Sequence, residues 1–255
     1  MKNLNIRASK LLFVRSVVIV CLLVAVMPVM LVQAAPNVRY YYESRGDVVW
    51  EAPSKEKQVA LTFDDGPDPT DTPRILDLLK KYDAKATFFV MGRKAEEHPD
   101  ILRRAAAEGH ELANHTFTHR MLDSSFTAEQ IRKEIVDTQE TIFAATGVRA
   151  RLFRPPGGLF NPRMIAVGKE EGLQMVLWSW HQDTHDWSRP GVNRIVRKVL
   201  GNVRGGDIIL LHDYVHGPTQ TVEALSRILP SLQNEGYRFV TVSELLYHSS
   251  REVRK

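Results

Sequence analysis

The sequence predicts an α/β fold in which a parallel sheet closes, or nearly closes, into a (β/α) barrel. Three observations carry this expectation. Seven short apolar runs recur from Val59 onward, most of them separated by an amphipathic stretch. Parallel neighbours need long crossover connections, usually helices, so the alternation calls for parallel strands. The polar residues fit for chemistry fall at the C-terminal ends of several different strands, where barrels assemble their sites. A doubly wound open sheet would satisfy the alternation alone; the spread of polar residues favours the barrel. A chain of 255 residues suits one such domain, since barrels of roughly 200–250 residues fold as one unit.

The first 35 residues read as a leader. Lys2, Arg7, Lys10 and Arg15 all precede the first acidic residue, Glu43. Val17 to Val32 is apolar except for Pro28, and Val32-Gln33-Ala34 offers small side chains at an exit. A basic start, an apolar run and a small-residue exit make an export signal. An uncleaved membrane anchor is the other reading, because the run approaches the shortest bilayer span, about 17 residues. Either way the domain is expected outside the cytoplasm. Cys21, the only cysteine, sits in this leader, so the exported part has no disulfide and no thiolate chemistry.

Residues 36–57, with Tyr40, Tyr41 and Tyr42, form a lead-in expected to pack on the barrel edge. The catalytic domain is expected over 58–248, with a polar tail at 249–255. Its strands are expected at Val59–Phe63, Ala86–Met91, His110–Ala113, Arg151–Phe153, Gln174–Trp180, Asp207–Leu211 and Tyr237–Val242. Helices are expected between most of them. Thr72–Tyr82 carries Pro73 in its first turn. Lys94–Glu108 stops at Gly109. Thr127–Thr146 opens with Thr127 and Gln130 in capping-box spacing and stops at Gly147. Pro162–Glu171 stops at Gly172, and Gly217–Asn234 stops before Gly236.

The formal charge of +4 and pI near 9.2 come from the leader, whose four basic residues face no acidic ones. The exported part is neutral, which argues against a nucleic-acid partner.

Five segments carry chemistry. Leu61-Thr62-Phe63-Asp64-Asp65-Gly66-Pro67 ends an apolar strand in two adjacent carboxylates. Such neighbours repel unless a cation or proton intervenes, though Asp and Gly are also ordinary turn residues. In His115-Thr116-Phe117-Thr118-His119, histidines four apart are expected on one face of a helical turn, where both can reach one ion. One carboxylate and two imidazoles make a common open site for zinc or ferrous iron, and the second carboxylate is left to act as base. In Arg151-Leu152-Phe153-Arg154-Pro155-Pro156-Gly157-Gly158, Arg154 can grip a carboxylate and the glycines allow close backbone approach. Asp183-Thr184-His185-Asp186-Trp187 offers a carboxylate and an indole that can line a sugar pocket. Finally, His212 ends the apolar run Ile208–Leu211, a placement suited to a general acid tuned by a nearby carboxylate.

In this order, the five segments resemble the polysaccharide deacetylase family, carbohydrate esterase family 4, also called NodB-like. The family pattern of Thr-Phe-Asp-Asp-Gly, His-Ser/Thr-x-x-His, Arg-Pro-Pro-x-Gly, Asp-x-x-Asp-Trp and Leu-x-His stands between Thr62 and His212. The likeness runs from about Val59 to Leu246. It implies a deformed (β/α) barrel of about seven parallel strands and one divalent metal, zinc for choice, with other transition metals admissible. By the same resemblance Asp65, His115 and His119 are metal ligands and Asp64 is the base, oriented by Arg154. His212 is the acid, tuned by Asp186. Pro156 and Gly157 border the oxyanion, and Trp187 and Leu210 flank the acetyl group. The implied substrate is an N-acetylated polysaccharide, peptidoglycan or a chitin-like polymer, in the setting of cell wall or sporulation. A monomer is expected, touching membrane only through the leader if that segment is uncleaved.

Two departures stand out. Gly157 takes the place of a larger residue common in the family, and Asp213-Tyr214-Val215-His216 replaces a short small-residue loop. His181 and His185 lie near the fourth segment and read as packing or lining. A glycan-binding barrel without turnover and an amidase on a smaller amide are the competing functions.

Overall fold

The computed structural model describes residues 38–253. The predicted leader and Cys21 lie outside the described residues. Contacts divide the chain into a unit ending at Ser44, which holds helix α1 (Val38–Ser44), and a unit beginning at Arg45. Among the described residues no helix is long and apolar enough to cross a membrane.

The second unit is a curled parallel sheet ringed by helices, as predicted. Its strands are β1 (Val48–Val49), β2 (Gln58–Asp64), β3 (Ala86–Val90), β4 (Glu111–Asn114), β5 (Leu152–Phe153), β6 (Gln174–Val176), β7 (Ile208–His212) and β8 (Arg238–Phe239). They pair in the order β1-β6-β5-β4-β3-β2-β7, with β8 against the start of β2, and every pairing is parallel. The gap between the β6 side and β7 is bridged irregularly: the Ser179 N–H donates to the Ile208 carbonyl at 3.0 Å, and Asp183 pairs with Leu210. The result is a deformed barrel.

Alternation along β2 decides where the core lies. Val59, Leu61 and Phe63 face the helices in the larger apolar cluster, with Ile75, Leu79 and Leu225. Ala60 lies in the smaller cluster with Phe89, Ala113, Val176 and Ile208. Every residue of β2 is buried, the pattern of a central strand covered on both faces.

Around the sheet run α2 (Asp71–Lys81), α3 (Gly92–Glu97), α4 (Pro99–Ala107), α5 (Ala128–Thr146), α6 (Pro162–Glu170), α7 (Val192–Leu200), α8 (Thr221–Asn234) and α9 (Val242–Val253). The capping box of Thr127 and Gln130 forms as read, and Gly147 ends α5 with φ 73°.

Several expectations are corrected. The single helix expected over Lys94–Glu108 is two, because Pro99 has no N–H to continue the ladder and His98 turns out to φ −134°. Predicted strand Gln174–Trp180 ends at Val176 and passes into a 3₁₀ turn at Trp180–Gln182. Predicted strand Tyr237–Val242 is two residues long, and the helix that follows it, α9, runs on to Val253. Helix α9 starts from a capping arrangement: the Thr241 hydroxyl accepts from the Glu244 N–H, and Glu244 Oε2 accepts from the Thr241 N–H. Its Val242 and Leu245 join the smaller cluster, against Ala60.

Candidate active site

The five segments meet at the C-terminal ends of the strands, around one cleft of about 690 Å³. Asp64 is the last residue of β2 and His212 the last of β7, and the two are register partners. Asp65 then turns the chain with φ 74°. The next residue must be glycine, because a Cβ at Gly66 would stand 2.0 Å from the buried Asp213 carboxylate.

His115 and His119 follow β4, but not as a helical turn. Thr116 and His119 have φ 66° and 59°, so the segment is a loop that folds both rings to one side. Glu134 on α5 holds that loop: its carboxylate accepts from the Phe117 and Thr118 N–H groups at 2.9 and 2.8 Å and from the Thr118 hydroxyl at 2.6 Å. Asn114 adds a bond to the Thr116 N–H. A glutamate in an amphipathic helix gives no sequence signal of such a role.

The two imidazoles converge on Asp65. Its Oδ1 lies 3.3 Å from His115 Nε2 and 3.0 Å from His119 Nε2. One donor atom from each of the three residues falls within 4.8 Å of the others. His115 Nδ1 is 2.7 Å from the Arg154 carbonyl; since a carbonyl only accepts, Nδ1 carries the proton and a neutral ring leaves its Nε2 lone pair facing Asp65. Asp65 Oδ1 is buried without a hydrogen-bond donor in good geometry. A buried carboxylate oxygen that faces two imidazole nitrogens, with no hydrogen-bond donor in good geometry, leaves lone pairs for a cation, so the donor set fits a divalent metal. The protein's own charges say the same. Burial works against ionised Asp65, yet the two histidines hold its carboxyl far below the ordinary value. Burial also opposes the His115 imidazolium, but Asp64 and Asp65 raise its pKa.

Arg154, at the end of β5, is wholly buried. It donates to Asp64 Oδ1 at 2.7 Å, the Thr62 hydroxyl at 2.9 Å, and the carbonyls of Val176 and Leu177 at 3.1 and 2.6 Å. Its plane lies over the Phe89 ring. A buried cation so fully bonded fixes Asp64 in one orientation.

His212 is paired in the same manner. Its Nδ1 is 2.7 Å from Asp186 Oδ1, while the His212 N–H and the Thr221 hydroxyl occupy Asp186 Oδ2. Burial pushes the imidazole towards neutrality, but Asp186 outweighs it and raises the pKa to about 9. Because Asp186 takes Nδ1, Nε2 is the nitrogen left for a ligand.

Gly157, Trp187 and Leu210 line the cleft, together with His185, Tyr214 and His216. Pro156 is buried in its turn and is not among the lining residues. His181 lies elsewhere, against Asp207 at 3.0 Å. Sequence reasoning missed four further lining residues: Met91, Lys94, Met121 and Trp178. Lys94 lies over the Tyr214 ring, and burial lowers its pKa to about 8 against the pull of Asp213 and Asp65.

A two-histidine, one-carboxylate group beside an arginine-held aspartate and an aspartate-held histidine, on the rim of a parallel barrel, defines a hydrolase with a candidate metal centre. Comparison with known proteins specifies it. The family profile described as "Polysaccharide deacetylase" matches residues 51–176. A peptidoglycan-N-acetylglucosamine deacetylase of Bacillus cereus is 50% identical over 204 residues, 80% of this chain and 95% of that protein. A chitooligosaccharide deacetylase of Sinorhizobium fredii is 40% identical over 190 residues, 70% of this chain and 87% of the relative. Among solved structures, a peptidoglycan N-acetylglucosamine deacetylase in complex with an N-hydroxybenzamide superposes with a TM-score of 0.77 at 36% identity, covering 82% of this chain and 96% of that one. The chain belongs to the polysaccharide deacetylase family and is a polysaccharide N-deacetylase.

Proposed function

We propose that the chain is a metal-dependent enzyme that removes acetyl groups from N-acetylhexosamine units of peptidoglycan, outside the cytoplasm. One observation carries the reading: Asp64 and His212 are register neighbours on β2 and β7, so a base and an acid stand side by side over the cleft that gathers the three donors. Export is supported by the basic and apolar leader, and peptidoglycan by the Bacillus cereus relative.

Asp65, His115 and His119 would hold the cation, and two imidazoles with one carboxylate suit zinc. When bound, such an ion polarises the acetamide carbonyl and lowers the pKa of a water towards about 7. Asp64, oriented by Arg154, takes a proton as a water adds to the acetamide carbon. The Gly157 N–H donates to the oxyanion that develops, a preorganised contact worth roughly 3–4 kcal/mol in comparable sites. Protonated His212 then gives its proton to the nitrogen. The C–N bond breaks, and acetate and a free amine leave. Leu210 and Trp187 flank the acetyl methyl group.

The test is acetate release from peptidoglycan and from N-acetylglucosamine oligomers, with and without zinc. Zinc-dependent release that falls about 10²- to 10⁴-fold in Asp64→Asn is the expected outcome for loss of a general base. Release that survives Asp64→Asn would sink the assignment of the base.

A further inference from the structure

Gly157 leaves a gap in the cleft wall, and another part of the chain fills it. A Cβ at Gly157 would stand 3.2 Å from Met121 Cε and 3.3 Å from its Sδ. Met121, from the loop after His119, thus takes the space that a side chain at 157 would enter, and both residues line the same cleft.

The backbone that carries Met121 is fixed. The Asp123 N–H donates to the Met121 carbonyl at 2.9 Å, Leu122 is buried beside it, and Arg163 reaches the carbonyls of Ser124 and Phe126. The thioether itself is not enclosed: Met121 is 50% exposed, as Trp187 is 55% exposed. Two large apolar side chains open to water in one cleft gain stability when an apolar surface covers them. The C–H face of a pyranose ring is such a surface.

Resting on the deacetylase reading above, we propose that Met121 is a substrate-contacting wall that determines how the acetamide-bearing sugar is held. It occupies the space into which a side chain at 157 would point. An unbranched thioether with three rotatable bonds makes this wall yielding, able to adjust to the substituents beside the acetamide. The contact is made equally before and during reaction, so it contributes to binding and leaves the chemical step alone.

The experiment measures binding and turnover separately. Titration calorimetry of an N-acetylglucosamine tetramer is run on the zinc-loaded full chain carrying Asp64→Asn, which blocks turnover, with Met121 intact, Met121→Ala or Met121→Leu. Met121→Ala is expected to weaken Kd about tenfold, a loss in line with uncovering a half-buried apolar side chain. Met121→Leu restores it, and in the otherwise unmodified enzyme Met121→Ala raises KM while kcat stays within about twofold. Equal Kd values for all three, or no binding by any, overturn the wall. Acetate release by the unmodified chain tests the deacetylase reading on its own. Release with a Met121-independent Kd removes only the wall, and a Met121-dependent Kd without release removes only the deacetylase.

Discussion

The barrel carries two groups of histidine and carboxylate that resemble each other on paper and differ in kind. Asp65, His115 and His119 form one; Glu51, His181 and Asp207 form the other. Asp207 stands just before β7, at the end of that strand remote from the cleft. Its Oδ2 already accepts from the Arg204 N–H at 2.7 Å and from Gln182 Nε2 at 3.2 Å, and His181 is the third donor at 3.0 Å. Asp65 Oδ1 has only the two imidazole nitrogens. A carboxylate whose lone pairs are filled by N–H groups is a clamp, and it has little left to give an ion. A buried one faced only by imidazole nitrogens keeps lone pairs that a cation could take. The first group has two histidines and one carboxylate, the second one histidine and two carboxylates, yet what separates them is the supply of protons to the shared carboxylate.

The largest effect that tests this contrast comes from Asp65→Asn. It removes the one carboxylate of the first group and leaves Asp207 untouched. Activity is expected to fall to background, and bound zinc, measured by elemental analysis after desalting, to fall from one per chain to none. Zinc retained at full stoichiometry in Asp65→Asn would move the metal to the second group and end the comparison.

A third pair lies between these extremes. Asp186 is saturated like Asp207, but the histidine it holds keeps one nitrogen for the cleft. The sign of the pH effect follows. With the His212 pKa raised to about 9, the proposed acid is present below that pH and is lost as pH rises through it. In Asp186→Asn the anion is gone while the burial that disfavours the imidazolium remains. The alkaline limb of kcat is therefore expected to drop from near pH 9 to the ordinary histidine range, about 6.5, or below. A pH profile of kcat between 6 and 10 reads this directly, and an unmoved limb would assign it to another group.

How much of this was legible in the sequence depends on the range of the interactions involved. Strands β2, β3 and β7 could be read because each is a run of apolar residues with its own turn chemistry. The five segments could be placed at strand ends for the same reason. The loop of His115 and His119 could not: spacing of four fits a helix, and what makes it a loop is Glu134, far along the chain on α5. Helix α9 was hidden by β-branched Val240, Thr241 and Val242, although Thr241 and Glu244 carried a readable capping signal. Helix α7 went unread, although Ile195 and Val199 bury one face of it. Met121 is the plainest case. Its place beside Gly157 joins positions on different loops, and no periodicity or motif reports such a meeting.

The smallest effect is the sharpest test of the clamp. His181→Gln keeps a side chain able to donate to Asp207 but shortens its reach, while the Arg204 and Gln182 bonds remain. The loss should be that of a single hydrogen bond, about 0.5–1.5 kcal/mol of folding stability. Denaturant unfolding would show it as a lower midpoint at unchanged slope. Zinc content and acetate release should match the parent, because His181 is not among the residues that line the cleft. If the substitution instead lowered zinc content, the Asp207 group would have to be counted as a second metal centre, and filled lone pairs would no longer separate a clamp from a site.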